Sequence, residues 1–180
     1  VIEPHRPRRR NLLAETRLTS EWVAKEYPGR NWHFQFRVGQ DPQLVGINPN
    51  DEGEVAWARN FNRRVDAVIE PPPELVMIEA KMWDPTTAIG RLQEYELLLA
   101  ATPEVAEWGP GHIVPVLLTA QHDPLAEVIC RRHAIRYVFW APPWIDEFYA
   151  MYPERRRKAA FAGMVDELTK RSRHDFSARA

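Results

Sequence analysis

Asp66, Glu79 and Lys81 are the residues of this chain whose types and spacing best suit chemistry, and all three fall within residues 64–83, RVDAVIEPPPELVMIEAKMW. Successive side chains of a strand point to opposite faces. On a strand, Glu79 and Lys81 project together, while Val76, Ile78, Ala80 and Met82 form an apolar row on the other face. A carboxylate and an ammonium set among apolar neighbours are costly to bury unless they pair with each other or hold a metal. The prolines at 71–73 read as a turn, which makes the stretch a hairpin and carries Asp66 toward the pair. Asp66 and Glu79 are hard oxygen donors suited to Mg²⁺ or Mn²⁺. A metal so held lowers the pKa of a bound water. Lys81 is placed to orient or deprotonate that water, or to stabilise developing charge. The simpler alternative is a Glu79–Lys81 ion pair on an exposed sheet face.

The elements that must position these residues read as follows. Residues 1–18 are basic and broken by Pro4 and Pro7, and are expected to form an arm carrying His5, Arg6, Arg8, Arg9 and Arg10. Thr19 or Ser20 is expected to cap a first helix, with Glu21 in its opening turn and Pro28-Gly29 stopping it. Residues 31–38 alternate, with Trp32, Phe34, Phe36 and Val38 set against His33, Gln35 and Arg37, the pattern of a half-buried strand. His33 reads as a surface histidine. Residues 40–60 form a long irregular connection, with a short helix expected around Trp57. Asp51, Glu52 and Glu54 lack the spacing of a calcium loop.

After the hairpin, Asp84-Pro85 opens a helix with Ala88, Leu92, Tyr95, Leu98 and Leu99 at helical spacing. Residues 112–119 form an apolar strand, in which Pro115 implies an edge or a bulge. Asp123-Pro124 starts another helix, residues 135–140 form the last strand, and Pro142-Pro143 opens a helical C-terminal extension over 142–180. That extension carries Arg155, Arg156, Arg157, Lys158, Lys170, Arg171 and Arg173. The expected fold is α/β. Its mixed central sheet is an antiparallel meander joined to parallel strands by a right-handed helical crossover, with helices on both faces.

This order, with Asp66 on one strand and Glu79-Ala80-Lys81 on the next, resembles the PD-(D/E)XK nuclease superfamily over roughly residues 19–140. The core 19–141 would then be restriction-endonuclease-like. Val65 stands where that motif usually has proline. The resemblance implies metal-dependent hydrolysis of DNA phosphodiester bonds, with Asp66, Glu79 and Lys81 catalytic. It implies Mg²⁺ or Mn²⁺ held by Asp66, Glu79 and the main-chain oxygen of Ala80. It also implies a further carboxylate from the first helix, Glu21 by position and Glu15 next. Arg91 and Gln93, on the helix after the lysine strand, would contact substrate.

Composition sets outer limits. The chain has 180 residues, 44% apolar and 27% charged, enough for one domain with a sizeable core. A net charge of −1 leaves nucleic-acid binding to local basic patches in the arm and the extension. The single Cys130 excludes a disulfide framework within the chain. No run of about 18 apolar residues and no signal-peptide pattern is present, so an intracellular location without membrane insertion is expected. Two other functions fit the same residues. One is a nuclease-like subunit that binds DNA or assembles with protein partners or with itself through the basic segments, without cutting. The other is an unrelated α/β binding module in which Asp66, Glu79 and Lys81 never converge.

Overall fold

The computed structural model describes residues 6–39, 48, 50–54, 63–100, 102–109 and 111–153, with the side chains of 6–10 outside that set. Its centre is the strand read above as carrying the chemistry. This strand, β3 (Glu74–Lys81), is buried along nearly its whole length because both faces are covered. β1 (Trp32–Val38) and β2 (Arg63–Ile69) lie on one side of it, β4 (His112–Thr119) and β5 (Arg136–Phe139) on the other, in the order β1-β2-β3-β4-β5. The connection from β2 to β3 is a short proline turn, so that pair is antiparallel, as is β1 with β2. The Arg30 guanidinium ties this turn by donating to the carbonyl oxygens of Glu70 and Glu74. β3, β4 and β5 are parallel, because helices intervene between them.

Those helices are α2 (Thr86–Ala100), α3 (Pro103–Glu107) and α4 (Pro124–Arg132). Asp123 caps α4 by accepting the Ala126 N–H at 2.9 Å, as its place before Pro124 implied. Ala88, Leu92, Tyr95 and Leu99 of α2 and Cys130 of α4 cover one sheet face, against Val65, Val68, Leu75, Met77 and Leu117. The other face, with Ala67, Ile69, Val76, Ile78, Ala80, Met82, Val116 and Leu118, packs on α1 (Arg6–Glu26) and α5 (Trp144–Ala150). The α/β class and the mixed sheet with helices on both faces therefore stand as expected. No described helix is long and apolar enough to cross a membrane.

Four expectations change. The first helix begins at Arg6 rather than near Thr19, and the boundary drawn at 18/19 falls inside it. Pro7 lies in its first turn, where a missing N–H costs nothing. Thr19 and Ser20 are helix-interior residues, and their hydroxyls donate back to the carbonyl oxygens of Glu15 (2.8 Å) and Arg17 (2.9 Å). Pro115 marks neither a bulge nor a true edge strand. β4 lies inside the sheet, and Pro115 pairs with Met77 just before β5 begins to pair at Val116. The short helix α3 had no counterpart in the sequence reading. The residues around Trp57 and the C-terminal extension beyond 153 lie outside the described residues.

The fourth change is in β1. Phe34 packs toward α1, whereas Phe36 and Val38 pack toward α2. Their shared parity predicted one common face. The alternation inverts at Gln35, which has φ +49°. The register does not slip: Phe34 lies opposite Ala67 and Phe36 opposite Val65. Val65 turns to the α2 face and Ala67 to the α1 face, so β2 inverts alongside β1.

Candidate active site at the parting of two strands

β2 and β3 pair from Ile69↔Val76 to Ala67↔Ile78 and no further toward Asp66. At the next position the Asp66 side chain takes the place of a ladder partner: its Oδ2 accepts the Ala80 N–H at 2.9 Å. Its Oδ1 accepts the Gln35 side-chain amide at 3.1 Å. Asp66 is thus pinned where the two strands part, beside the Glu79-Ala80-Lys81 run.

Glu79 is 3% exposed, and Lys81, two residues on, shares its side of β3. The Lys81 Nζ is 2.8 Å from Glu79 Oε1 and donates to the Ala80 carbonyl oxygen at 2.9 Å. Arg91, one turn into α2 and half-exposed, brings Nη1 to 3.7 Å from the same Glu79 oxygen. Burial, reinforced by the charge of Asp66, pushes the Glu79 carboxyl up to about 7 in spite of Lys81. Burial works against the Lys81 ammonium, but Glu79, Glu15 and Asp66 outweigh it and hold its pKa above the usual lysine value.

α1 supplies Glu15, not Glu21, to this group. Glu15 Oε1 accepts the Met82 N–H at 3.2 Å, and its Oε2 lies 4.0 Å from Lys81 Nζ. Burial raises the Glu15 pKa as well, with Lys81 opposing and Asp66 adding to the rise. Glu21 is committed elsewhere, to Arg17 at 2.7 Å and to the Trp144 indole N–H at 2.8 Å. The reason is helical geometry. At about 100° per residue, Glu15 falls in the middle of the buried arc formed by Ala14, Leu18, Thr19, Trp22 and Val23, and Glu21 falls at its margin. A helix starting at Thr19 places Glu21 ahead of Glu15, and the longer helix reverses that order.

Gln93 also leaves the site: it is exposed and its amide meets His133 Nδ1 at 2.9 Å, toward α4. His33 is partly exposed, 2.6 Å from Glu70 and stacked on Trp108 at 5.0 Å. Gln35, which touches Asp66 directly, was not among the residues singled out from sequence. Nothing in an alternating strand announces a left-handed residue in its middle.

The structure therefore brings together Asp66, Glu79, Ala80, Lys81, Glu15 and Arg91. The metal-ligating atoms among them are all oxygen, from the carboxylates of Asp66, Glu79 and Glu15 and the main-chain carbonyl of Ala80, and that chemistry fits a small hard divalent cation. Among the described residues, no three His, Cys, Asp or Glu side chains stand as a ready-made ligand set. The Lys81 ammonium itself lies against Glu79 and the Ala80 carbonyl. No protein-family model matches this chain, and no curated protein matches it.

Proposed function

We propose that the chain is a metal-dependent nuclease that hydrolyses DNA phosphodiester bonds on a restriction-endonuclease-like core. One observation carries this reading: Glu79, Glu15 and the Ala80 carbonyl oxygen surround the Lys81 ammonium, and Asp66 is held beside them on the Ala80 N–H where β2 and β3 part. A structural ion pair would need only Glu79 and Lys81. Two further carboxylates stand beside that pair, and the charge of Asp66 adds to the raised pKa of both Glu79 and Glu15.

In this reading Asp66, Glu79 and the Ala80 carbonyl hold Mg²⁺ or Mn²⁺, with Glu15 in the place first given to Glu21. When bound there, such a metal would supply an activated water and neutralisation of charge on the phosphoryl oxygens. Lys81, released from Glu79, orients or deprotonates the attacking water or steadies the transition state. Arg91, at the exposed side of Glu79, meets the DNA phosphate.

A second reading is a nuclease-like subunit that binds DNA or assembles without cutting. The Lys81 contact with two of the candidate metal-binding oxygens favours it, because the pair is already satisfied without metal. A nicking assay on plasmid and single-stranded DNA with Mg²⁺ and Mn²⁺ separates the two. The enzyme is expected to cut, to stop on chelation with its circular dichroism unchanged, and to lose cleavage in a folded Asp66→Ala protein. No cleavage under any of these conditions would favour the binding subunit.

A further inference from the structure

We propose that Gln35 is a positioning residue for Asp66, an inference that rests on the nuclease reading and extends its site to the far side of β2. Two features meet at this residue. Its backbone holds φ +49°, a conformation that a non-glycine residue adopts at a cost and that strand interiors do not call for. Its side-chain amide donates to Asp66 Oδ1 at 3.1 Å.

The two features have one consequence. Gln35 stands opposite Asp66 between the pairs Phe34↔Ala67 and Phe36↔Val65. Around this position the core residues of both strands change face, from Phe34 and Ala67 against α1 to Phe36 and Val65 against α2. The inversion frees Asp66 from the regular sheet and lets its Oδ2 reach the Ala80 N–H. The amide then secures the other oxygen. Asp66 is fixed at both oxygens, each keeping a lone pair for a ligand. A second partner of this kind fixes a ligating side chain's direction, and its loss lowers metal affinity by about ten- to a hundredfold.

The test uses Gln35→Gly and Gln35→Ala in the full chain, read by Mn²⁺ titration calorimetry and thermal melting. Both remove the amide, but glycine also accepts the positive φ without strain. Gln35→Gly is expected to melt no lower than Gln35→Ala, yet both should bind Mn²⁺ about tenfold or more weakly than the parent. Equal affinity in the parent and a folded Gln35→Gly protein, with Asp66→Ala impaired, would overturn this inference alone. A parent protein that binds no Mn²⁺ would overturn the nuclease reading and the inference with it. A purely structural role would move the melting temperature and leave the affinity of the folded protein unchanged.

Discussion

Glu79 and Lys81 stand two residues apart on β3, on one face of the strand, with carboxylate and ammonium 2.8 Å apart and little access to water. The carboxylate is nonetheless pushed up to about 7, so burial and the neighbouring Asp66 outweigh the attached cation. A pair that fails to hold its own acid fully ionised is a poor stabiliser and a suitable place for a second cation.

Replacing Lys81 therefore has two separable effects. Lys81→Ala leaves Glu79 buried without its partner, which costs on the order of 3 kcal/mol when a buried pair is broken, and less where the carboxyl can take up a proton. Cleavage is expected to fall by about a hundredfold or more, measured as single-turnover nicking by protein confirmed folded. Undiminished cleavage would remove Lys81 from the chemistry.

The sign of the pH dependence follows from the direction of the Glu79 shift. Its ordinary value is 4.5 and its folded value about 7, so over that window the folded chain keeps a proton that the unfolded chain has released. Stability is then highest at the acid end, falls as pH rises from about 4.5 to about 7, and levels off above. The raised Glu15 adds in the same sense. Urea midpoints across this range should drop for the parent and drop less for Glu79→Gln. Mn²⁺ affinity should run the other way, rising with pH until Glu79 is ionised.

The two acids of α1 give a paired control. Glu15→Gln removes a charge beside Lys81 and the Met82 N–H, and is expected to lower metal affinity and cleavage about tenfold or more. Glu21, which among the described residues bonds to Arg17 and Trp144, should on replacement by Gln leave metal affinity and cleavage unchanged. Comparable losses in the two variants would return Glu21 to the site.

The basic segments are tested by salt. If Arg6, Arg8, Arg9 and Arg10 at the start of α1, or Arg155, Arg156 and Arg157, meet DNA phosphates, each contact removed should flatten the plot of log affinity against log salt by about 0.9 for duplex DNA. Filter-binding or anisotropy titrations in Ca²⁺ measure this slope. An unchanged slope would assign these residues to protein partners or to solvent.

The sequence alone was enough to set the central strand, because the alternation of Glu79 and Lys81 with Ile78, Ala80 and Met82 depends only on the two-residue period of a strand. It was also enough for the start of α4, where the Asp123 cap is a local bond three residues long, and for the antiparallel-then-parallel order, which follows from connection lengths. Three features were decided by tertiary structure. Glu15 displaced Glu21 because the reach of α1 back to Arg6 depends on Ala14, Leu18 and Trp22 packing on the sheet, against the local signal of Pro7. Arg91 stayed and Gln93 left because residues two apart on a helix point about 200° apart, and only the seating of α2 selects between them. The inversion at Gln35 has no sequence signature, since a glutamine takes a left-handed backbone only where the surroundings over-determine it. Here those surroundings are β2 parting from β3, the Asp66 carboxylate on the Ala80 N–H, and two helical layers that draw Phe34 and Phe36 to opposite faces.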